Sequence, residues 1–149
     1  MRPPVTIESL TEEWLQDSSV NVTDPDIELA KIPNLHAKYL NILTHHNLIV
    51  KKLSFQYTEL KRVKTEYYNG DLNNPEDLET YGLQPMMKKI LKPQLQIYID
   101  SDSDLNKILM KKVIHQEIVD FCTQVLKELN SRTYQLGNII KWKMFTNGV

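Results

Sequence analysis

The sequence has little of what several classes of protein require. Its single cysteine excludes an internal disulfide and a cysteine-rich zinc site. Its four glycines leave few positions for a phosphate-binding loop, and it contains no nucleophile elbow, HExxH motif or Walker motif. No apolar run approaches the roughly 18 residues of a membrane-spanning helix. These absences argue against an enzyme, and we expect no cofactor, no bound metal and no membrane partner.

The remaining composition is that of a folded domain. The chain has 149 residues, of which 41% are apolar and 25% charged, and this length predicts one domain, with or without an extended tail. Its first residues, MRPPVTIESLTEEW, lack the apolar core of a signal peptide. With one cysteine, this predicts that the chain stays in a reducing cytoplasm.

The net charge is close to zero, which excludes a uniformly basic nucleic-acid binder. The 18 basic and 19 acidic residues give −1, but they are segregated into blocks of alternating sign. Residues 1–30 carry −6, residues 31–68 carry +5, residues 69–85 carry −4, residues 86–98 carry +3, residues 99–104 carry −3 and residues 105–149 carry +4. Such blocks can form separate basic and acidic surfaces, or they are ordinary solvated helix faces.

Two long helices are predicted. Residues 34–68 contain no proline or glycine, and we expect a helix with Asn34 as its N-cap, ending at Asn69–Gly70. Steps of four and three residues connect positions 39, 43, 46, 50, 53, 57, 60, 64 and 67, a repeat typical of helices that pack side by side. His46 and Lys64 are its polar members, and we expect His46 to be partly exposed. From Leu105 onward a wide apolar stripe predicts the second helix, bent or divided near 130–131 or at Gly137.

Shorter elements are predicted around these helices. Ser9 and Glu12 have capping-box spacing, which predicts a helix over 9–16. Residues 17–33 are a predicted linker that could hold one helical turn at 26–31, and residues 71–85 are a predicted acidic loop. The alternation of Leu95, Ile97 and Ile99 is compatible with a short extended segment. The aspartates and serines of 100–104 are predicted N-caps of the second long helix.

Residues 61–70, KRVKTEYYNG, have the composition of a single-strand binding segment. Cations neutralise phosphates, and flat aromatic faces stack unpaired bases. The candidate DNA contacts are Lys61, Arg62, Lys64, Tyr67 and Tyr68. Glu66 lies one helical turn after Arg62 and is its nearest helical neighbour. Tyr67 belongs to the helix repeat, so a place in the core is the alternative interpretation for it.

The end of the chain is too apolar for a free helix. Ile139, Ile140, Trp142 and Phe145 are the candidate contacts between subunits, and burial against the chain's own core is the alternative. Cys122 lies within the apolar stripe, which favours a packing role over a nucleophilic one.

Six stretches, taken in order, carry a resemblance to a known family. They are EEWLQDS (12–18), IPNLHAKYL (32–40), LKRVKTEYYNG (60–70), ILKPQLQIYIDSDSDL (90–105), VDFC (119–122) and SRTYQLGNIIKWKMFTNG (131–148). In this order they resemble the UvsY family of phage recombination mediators. The YYNG element and the tail R-x-x-Q-x-x-N-x-I-x-W-x-x-F-x-x-G are the most specific.

The resemblance implies a mainly α fold, in which a long-helix subunit with a helical C-terminal oligomerisation region forms a ring-like homo-oligomer of about six or seven subunits. It implies a non-enzymatic mediator in the cytoplasm of the infected bacterial host. This mediator binds single-stranded DNA and promotes loading of a RecA-like phage recombinase in place of the phage single-strand-binding protein. The resemblance implies DNA contact by a pair of basic residues with one residue between them. This pair corresponds to Arg62 and Lys64, and the arginine and the lysine occupy each other's positions relative to the family's pattern.

Together these observations divide the chain into three segments. Residues 1–33 are an acidic N-terminal helix and linker, residues 34–104 a long basic helix plus loop that binds DNA, and residues 105–149 a helical oligomerisation region. The acidic N-terminus could contact a basic surface on the recombinase or the single-strand-binding protein, or restrain the chain's own basic helix. The alternative function is a coiled-coil structural adaptor that binds proteins only.

Overall fold

The structure is a computed structural model that describes residues 3–148, and every regular element in this range is helical. The prediction of a mainly α fold is therefore confirmed. The elements are α1 (Ile7–Asp17), α2 (Pro25–Tyr68), α3 (Pro75–Thr80), a 3₁₀ turn (Lys92–Gln94), α4 (Leu95–Asp100) and α5 (Ser103–Thr146). No helix in the described range is long and apolar enough to cross a membrane.

The chain forms two compact units, and the two long helices contribute to both. The first unit combines the residues up to Leu48 with those from Ile114 onward, and the second contains residues 49–113. The predicted boundaries at residues 33 and 104 rest on the charge blocks and the expected functions of the segments. They differ from the boundaries of the two compact units. That three-part division stays a prediction.

Helix α1 begins earlier than the sequence suggested. Thr6 is its N-cap, and the capping box pairs Thr6 with Ser9 rather than Ser9 with Glu12. The Ser9 amide donates to Thr6 Oγ1 at 3.1 Å, and the Thr6 amide donates to Ser9 Oγ at 3.0 Å. The body of the predicted helix is correct, but its cap is wrong by three residues because Thr6 and Ser9 are both competent caps.

Helix α2 begins at Pro25, so the predicted N-cap at Asn34 is wrong and the linker ends at residue 24 rather than 33. The helical turn that the sequence allowed at 26–31 is the beginning of α2. Pro33 lies inside the helix. A proline there typically costs about 3 kcal/mol, because it removes a backbone hydrogen bond and crowds the preceding turn. The helix nevertheless continues, because Ile32 is buried and Leu29 and Leu35 pack against the core of the first unit.

The repeat along α2 and the end of this helix are predicted correctly. None of the nine repeat positions from Tyr39 to Tyr67 is exposed. The helix ends at Tyr68, and Gly70 has a φ of +89°, a left-handed conformation that favours glycine. Helix α5 runs without interruption through residues 130–131 and Gly137, so the predicted division of this helix is wrong.

A short helix lies within the predicted loop of residues 71–85, and another short helix replaces the predicted extended segment. Asn74 caps α3, since the Glu76 amide donates to Asn74 Oδ1 at 3.0 Å and Pro75 occupies the first helical position. Helix α4 covers residues 95–99, where only Ile99 is buried. The apolar alternation is too short there to distinguish a strand from a helix.

The core of the first unit is an apolar cluster contributed by α1, α2 and α5. Its buried members are Leu10, Ile32, Tyr39, Ile118, Cys122, Val125, Leu129 and Leu136. Burial raises the pKa of the Cys122 thiol to about 11, which disfavours the reactive thiolate. The prediction that Cys122 packs in the core is confirmed.

Polar contacts hold α1 against this core. The Tyr39 hydroxyl donates to Asp17 Oδ2 at 2.8 Å, and Lys38 Nζ donates to the same oxygen at 2.6 Å. The Arg132 guanidinium donates to the Ser18 carbonyl at 3.0 Å and lies 5.5 Å from the centre of the Trp14 ring. Part of the acidic N-terminal segment therefore has a structural role within the first unit.

His46 is buried, so the prediction of a partly exposed residue is wrong. Its Nδ1 lies 2.9 Å from Nδ1 of His115, and the two rings stack with centroids 5.1 Å apart. One nitrogen must donate and the other accept, so one proton is shared between them. Burial, followed by the nearby His115 and His45, lowers the pKa of His46. Residues 3–148 contain no group of three or more potential ligands placed to hold a metal.

Candidate nucleic-acid interface

A single carboxylate joins the end of α2 to the start of α5 within the second unit. Asp102 caps α5, since its Oδ1 accepts from the Leu105 amide at 2.9 Å. Its Oδ2 accepts from the Tyr68 hydroxyl at 2.6 Å and from Lys64 Nζ at 3.1 Å. The prediction of an N-cap within residues 100–104 is confirmed, and the cap has further partners in α2.

Lys64 lies between two carboxylates. Its Nζ also donates to Asp104 Oδ2 at 2.8 Å. The side chain of Lys64 is 7% exposed and that of Asp102 only 2%, whereas that of Asp104 is 52% exposed. A DNA phosphate that reaches Lys64 must therefore replace a carboxylate, and Asp104 is the accessible one. The role of Lys64 as a DNA contact stays a prediction.

The pKa shifts show that this network favours the charged forms. Burial alone would lower the pKa of Lys64, but the hydrogen bonds from Lys64 to Asp104 and Asp102 raise it. Burial alone would raise the pKa of Asp102, but the hydrogen bonds from Tyr68, Leu105 and Lys64 lower it. Because its folded pKa is lowered, Asp102 contributes stability above the ordinary value of about 4. That contribution is lost as the pH falls through the lowered pKa.

The two predicted tyrosines are half-buried, and their hydroxyl groups are occupied. The Tyr67 hydroxyl donates to the Gln84 carbonyl, and that of Tyr68 donates to Asp102. The Tyr68 ring lies 5.2 Å from the Tyr67 ring and 5.7 Å from that of Tyr98. Burial, followed by Asp102, raises the pKa of Tyr68. The hydroxyl groups thus fix the rings in place, and any contact with bases must use their faces or edges.

Lys61 and Arg62 are the exposed cations of the predicted segment. Arg62 Nη1 lies 3.2 Å from Glu66 Oε1, as the sequence spacing predicted. Lys61 Nζ lies 5.9 Å from the centre of the Tyr57 ring. An exposed ion pair of this spacing contributes only about 0.3–0.5 kcal/mol, so a phosphate can displace Glu66 at small cost.

A pocket of about 430 Å³ lies beside the Tyr67 ring, and the sequence did not predict it. It is lined by Tyr67, Asn69, Gly70, Leu72, Asn73, Leu78, Pro85, Met86, Met87, Lys88 and Lys89. The two lysines belong to the block of charge +3 at residues 86–98. This block is the sequence feature that could have indicated the basic residues of the pocket. Among the described residues, those that line this pocket include no carboxylate.

The predicted oligomerisation residues fall into two groups. Trp142 and Phe145 are 65% and 77% exposed, and their ring centroids are 6.0 Å apart. Ile139 and Ile140 are half-buried, and Ile139 packs against the core of the first unit. The alternative of burial against the chain's own core thus applies in part to Ile139, while Trp142 and Phe145 form an exposed apolar patch.

Replacement of Lys64 by methionine should destabilise the chain. The substitution keeps a side chain of similar length but leaves the buried Asp102 without its cation, which typically costs about 3 kcal/mol or more. The measurement is the free energy of unfolding in urea, with Lys61→Met as the control because Lys61 is exposed on the same helix. Equal stability of the two variants would contradict the structural role of Lys64.

Comparisons with known proteins agree with this architecture. A family model described as "Recombination, repair and ssDNA binding protein UvsY" matches residues 13–149. The recombination protein uvsY of Enterobacteria phage T4 is 23% identical over 145 residues, covering 95% of this chain and 98% of that protein.

Crystal structures of the bacteriophage T4 recombination mediator protein UvsY show the same fold. The lattice type II structure matches with a TM-score of 0.84 at 21% identity, over 97% of this chain and 99% of that chain. The lattice type I structure matches with a TM-score of 0.80 at 20% identity, over 93% and 98%. The family description names recombination, repair and DNA binding, and no catalytic activity. Since the family model spans most of the sequence, this chain belongs to the UvsY family of recombination, repair and single-stranded-DNA-binding proteins.

Proposed function

We propose that this chain is a non-enzymatic recombination mediator. It binds single-stranded DNA without sequence preference and promotes the loading of a RecA-like phage recombinase in place of the phage single-strand-binding protein. It acts in the cytoplasm of the infected bacterium. The observation that carries the proposal is the match of residues 13–149 to a family described by recombination, repair and single-stranded-DNA binding. A protein-only adaptor does not account for that description.

The DNA contacts are proposed to begin at Lys61 and Arg62. Both are exposed at the end of α2, and neither is held by a buried partner. Lys64 joins them when a phosphate takes the place of Asp104, whose carboxylate is half-exposed, while Asp102 stays in position. The rings of Tyr67 and Tyr68 supply the aromatic surface against which bases stack.

The proposed active form is a ring-like homo-oligomer of about six or seven subunits. A few phosphate contacts on one chain bind weakly at physiological salt, whereas repetition of the same patch raises the avidity for one strand. The exposed Trp142 and Phe145 support a subunit interface at the end of α5, extended by Ile140 and by the outer side of Ile139.

Replacement of both Lys61 and Arg62 by alanine should weaken binding to a fluorescent oligothymidine. Fluorescence anisotropy over a series of salt concentrations should give lower affinity and a salt slope reduced by about 0.7 for each lost phosphate contact. Lys107→Ala/Lys111→Ala is the matched control, since it removes two exposed cations from α5. Unchanged affinity of Lys61→Ala/Arg62→Ala would refute the contact assignment.

The mediator role predicts an effect on filament assembly. A RecA-like phage recombinase should assemble on single-stranded DNA coated with the single-strand-binding protein after a lag, and this chain should shorten the lag. The measurement is the onset of DNA-dependent ATP hydrolysis by the recombinase. The Lys61→Ala/Arg62→Ala variant is expected to leave the lag long. An unshortened lag with wild-type chain that binds DNA would contradict the mediator role.

Replacement of Trp142 and Phe145 by serine should reduce the mass of the assembly. The exposed aromatic patch would no longer bury apolar surface between subunits, and light scattering should detect smaller species. Phe55→Ser is the control because Phe55 is 76% exposed on α2, close to the exposure of Phe145. An intact oligomer in the double variant would exclude this patch as the interface.

A further inference from the structure

We propose that the pocket beside Tyr67 is a subsite for one unpaired nucleotide of the bound strand, with Lys88 and Lys89 holding its phosphate. This inference rests on the proposed single-stranded-DNA binding and extends it. It adds a second basic segment, far from α2 in sequence, to the contacts expected at residues 61–68.

Hydrogen bonds fix the chain on both sides of the segment that carries the two lysines' neighbours in the pocket. At the end of α2, the Gly70 amide donates to the Tyr67 carbonyl at 3.3 Å. After α3, the Leu83 amide donates to the Leu78 carbonyl at 2.8 Å. The Tyr67 hydroxyl donates to the Gln84 carbonyl, which ties the chain just before Pro85 to the end of α2. Fixing Tyr67, Leu78 and the start of the 85–89 segment in advance reduces the ordering cost of binding.

The chemistry of the lining matches the parts of a nucleotide. The apolar atoms of Leu72, Leu78, Met86 and Met87, with the Tyr67 ring, offer surface to a base. Methionine side chains adapt to different shapes, which suits binding without sequence preference. The Asn69 and Asn73 amides can donate to and accept from base edges. A volume of about 430 Å³ lies in the usual range for small-ligand pockets.

The charge of the lining favours a phosphate. Lys88 and Lys89 are exposed at the pocket and have no acidic neighbour in its lining. The larger pocket of the first unit, about 720 Å³, is lined by Glu117, Asp120 and Glu128 against the single cation Arg132, and would repel a phosphate. Of these two pockets, only the one beside Tyr67 has the charge that a DNA strand requires.

Tyr67 connects this subsite to the contacts proposed above. It lines the pocket and also belongs to the predicted binding segment of α2. A strand that stacks a base against Tyr67 can therefore place its adjacent phosphate at Lys88 and Lys89. The acidic residues of 69–85 are not among the residues that line the pocket.

The first test is substitution of both lysines in the full chain. Lys88→Ala/Lys89→Ala should weaken binding to oligothymidine about tenfold and lower the salt slope by about 1.4, the value for two phosphate contacts. Lys51→Ala/Lys52→Ala is the matched control, an adjacent lysine pair of the same unit that does not line the pocket. Both variants should melt at the wild-type temperature. Equal losses in the two variants would overturn the subsite, because the effect would then be general charge removal.

The second test asks whether a base occupies the pocket. Oligothymidine carrying 4-thiothymidine should cross-link on irradiation to peptides that contain Tyr67, Met86 or Met87, and Lys88→Ala/Lys89→Ala should reduce that yield. Cross-links confined to residues 61–64, with normal affinity of this variant, would overturn the subsite and leave the proposed function intact. Failure of the wild-type chain to bind any oligothymidine would overturn the proposed function itself.

Discussion

The carboxylate of Asp102 is the constraint on which the second unit depends. A buried carboxylate is tolerated only when donors satisfy it, and here three donors converge on its two oxygens. One oxygen caps α5, and the other binds Lys64 and Tyr68 of α2. The end of one long helix is thereby fixed to the start of the other within this unit. The position of the Tyr68 ring, and the availability of Lys64, follow from that attachment.

The pairing of Lys64 with Asp102 and Asp104 changes the interpretation of the alternating charge blocks. The acidic run at 99–104 is not only a separate acidic surface, because two of its aspartates neutralise Lys64 at the end of the basic block. The exposed positive charge of the second unit is then supplied by residues such as Lys61 and Arg62 on α2 and Lys88 and Lys89 beside the pocket. A net charge near zero is compatible with DNA binding because the acidic groups either serve the fold or lie outside that pocket.

The sequence predicts those features that depend on local order. The repeat along α2, the end of that helix before Gly70, and the exposed Arg62–Glu66 pair follow from spacing alone. Periodicity shows which residues share a face, but it does not show which group lies opposite, so the pairing of Lys64 with Asp102 could not be predicted. The pocket beside Tyr67 could not be predicted either, because it depends on the path of the chain after α3. Pro33 lies inside a helix because tertiary packing outweighs its local preference.

The two aspartates around Lys64 allow the fold and the proposed DNA contact to coexist. Asp102 is buried, and its loss would leave Lys64 and the start of α5 without their partner. Asp104 is half-exposed, so water and other solutes can reach its carboxylate, which is not the case for Asp102. Exchange of Asp104 for a phosphate keeps one anion on each side of the ammonium group. The proposed contact of a strand with Lys64 therefore does not require loss of the attachment of α2 to α5 by Asp102.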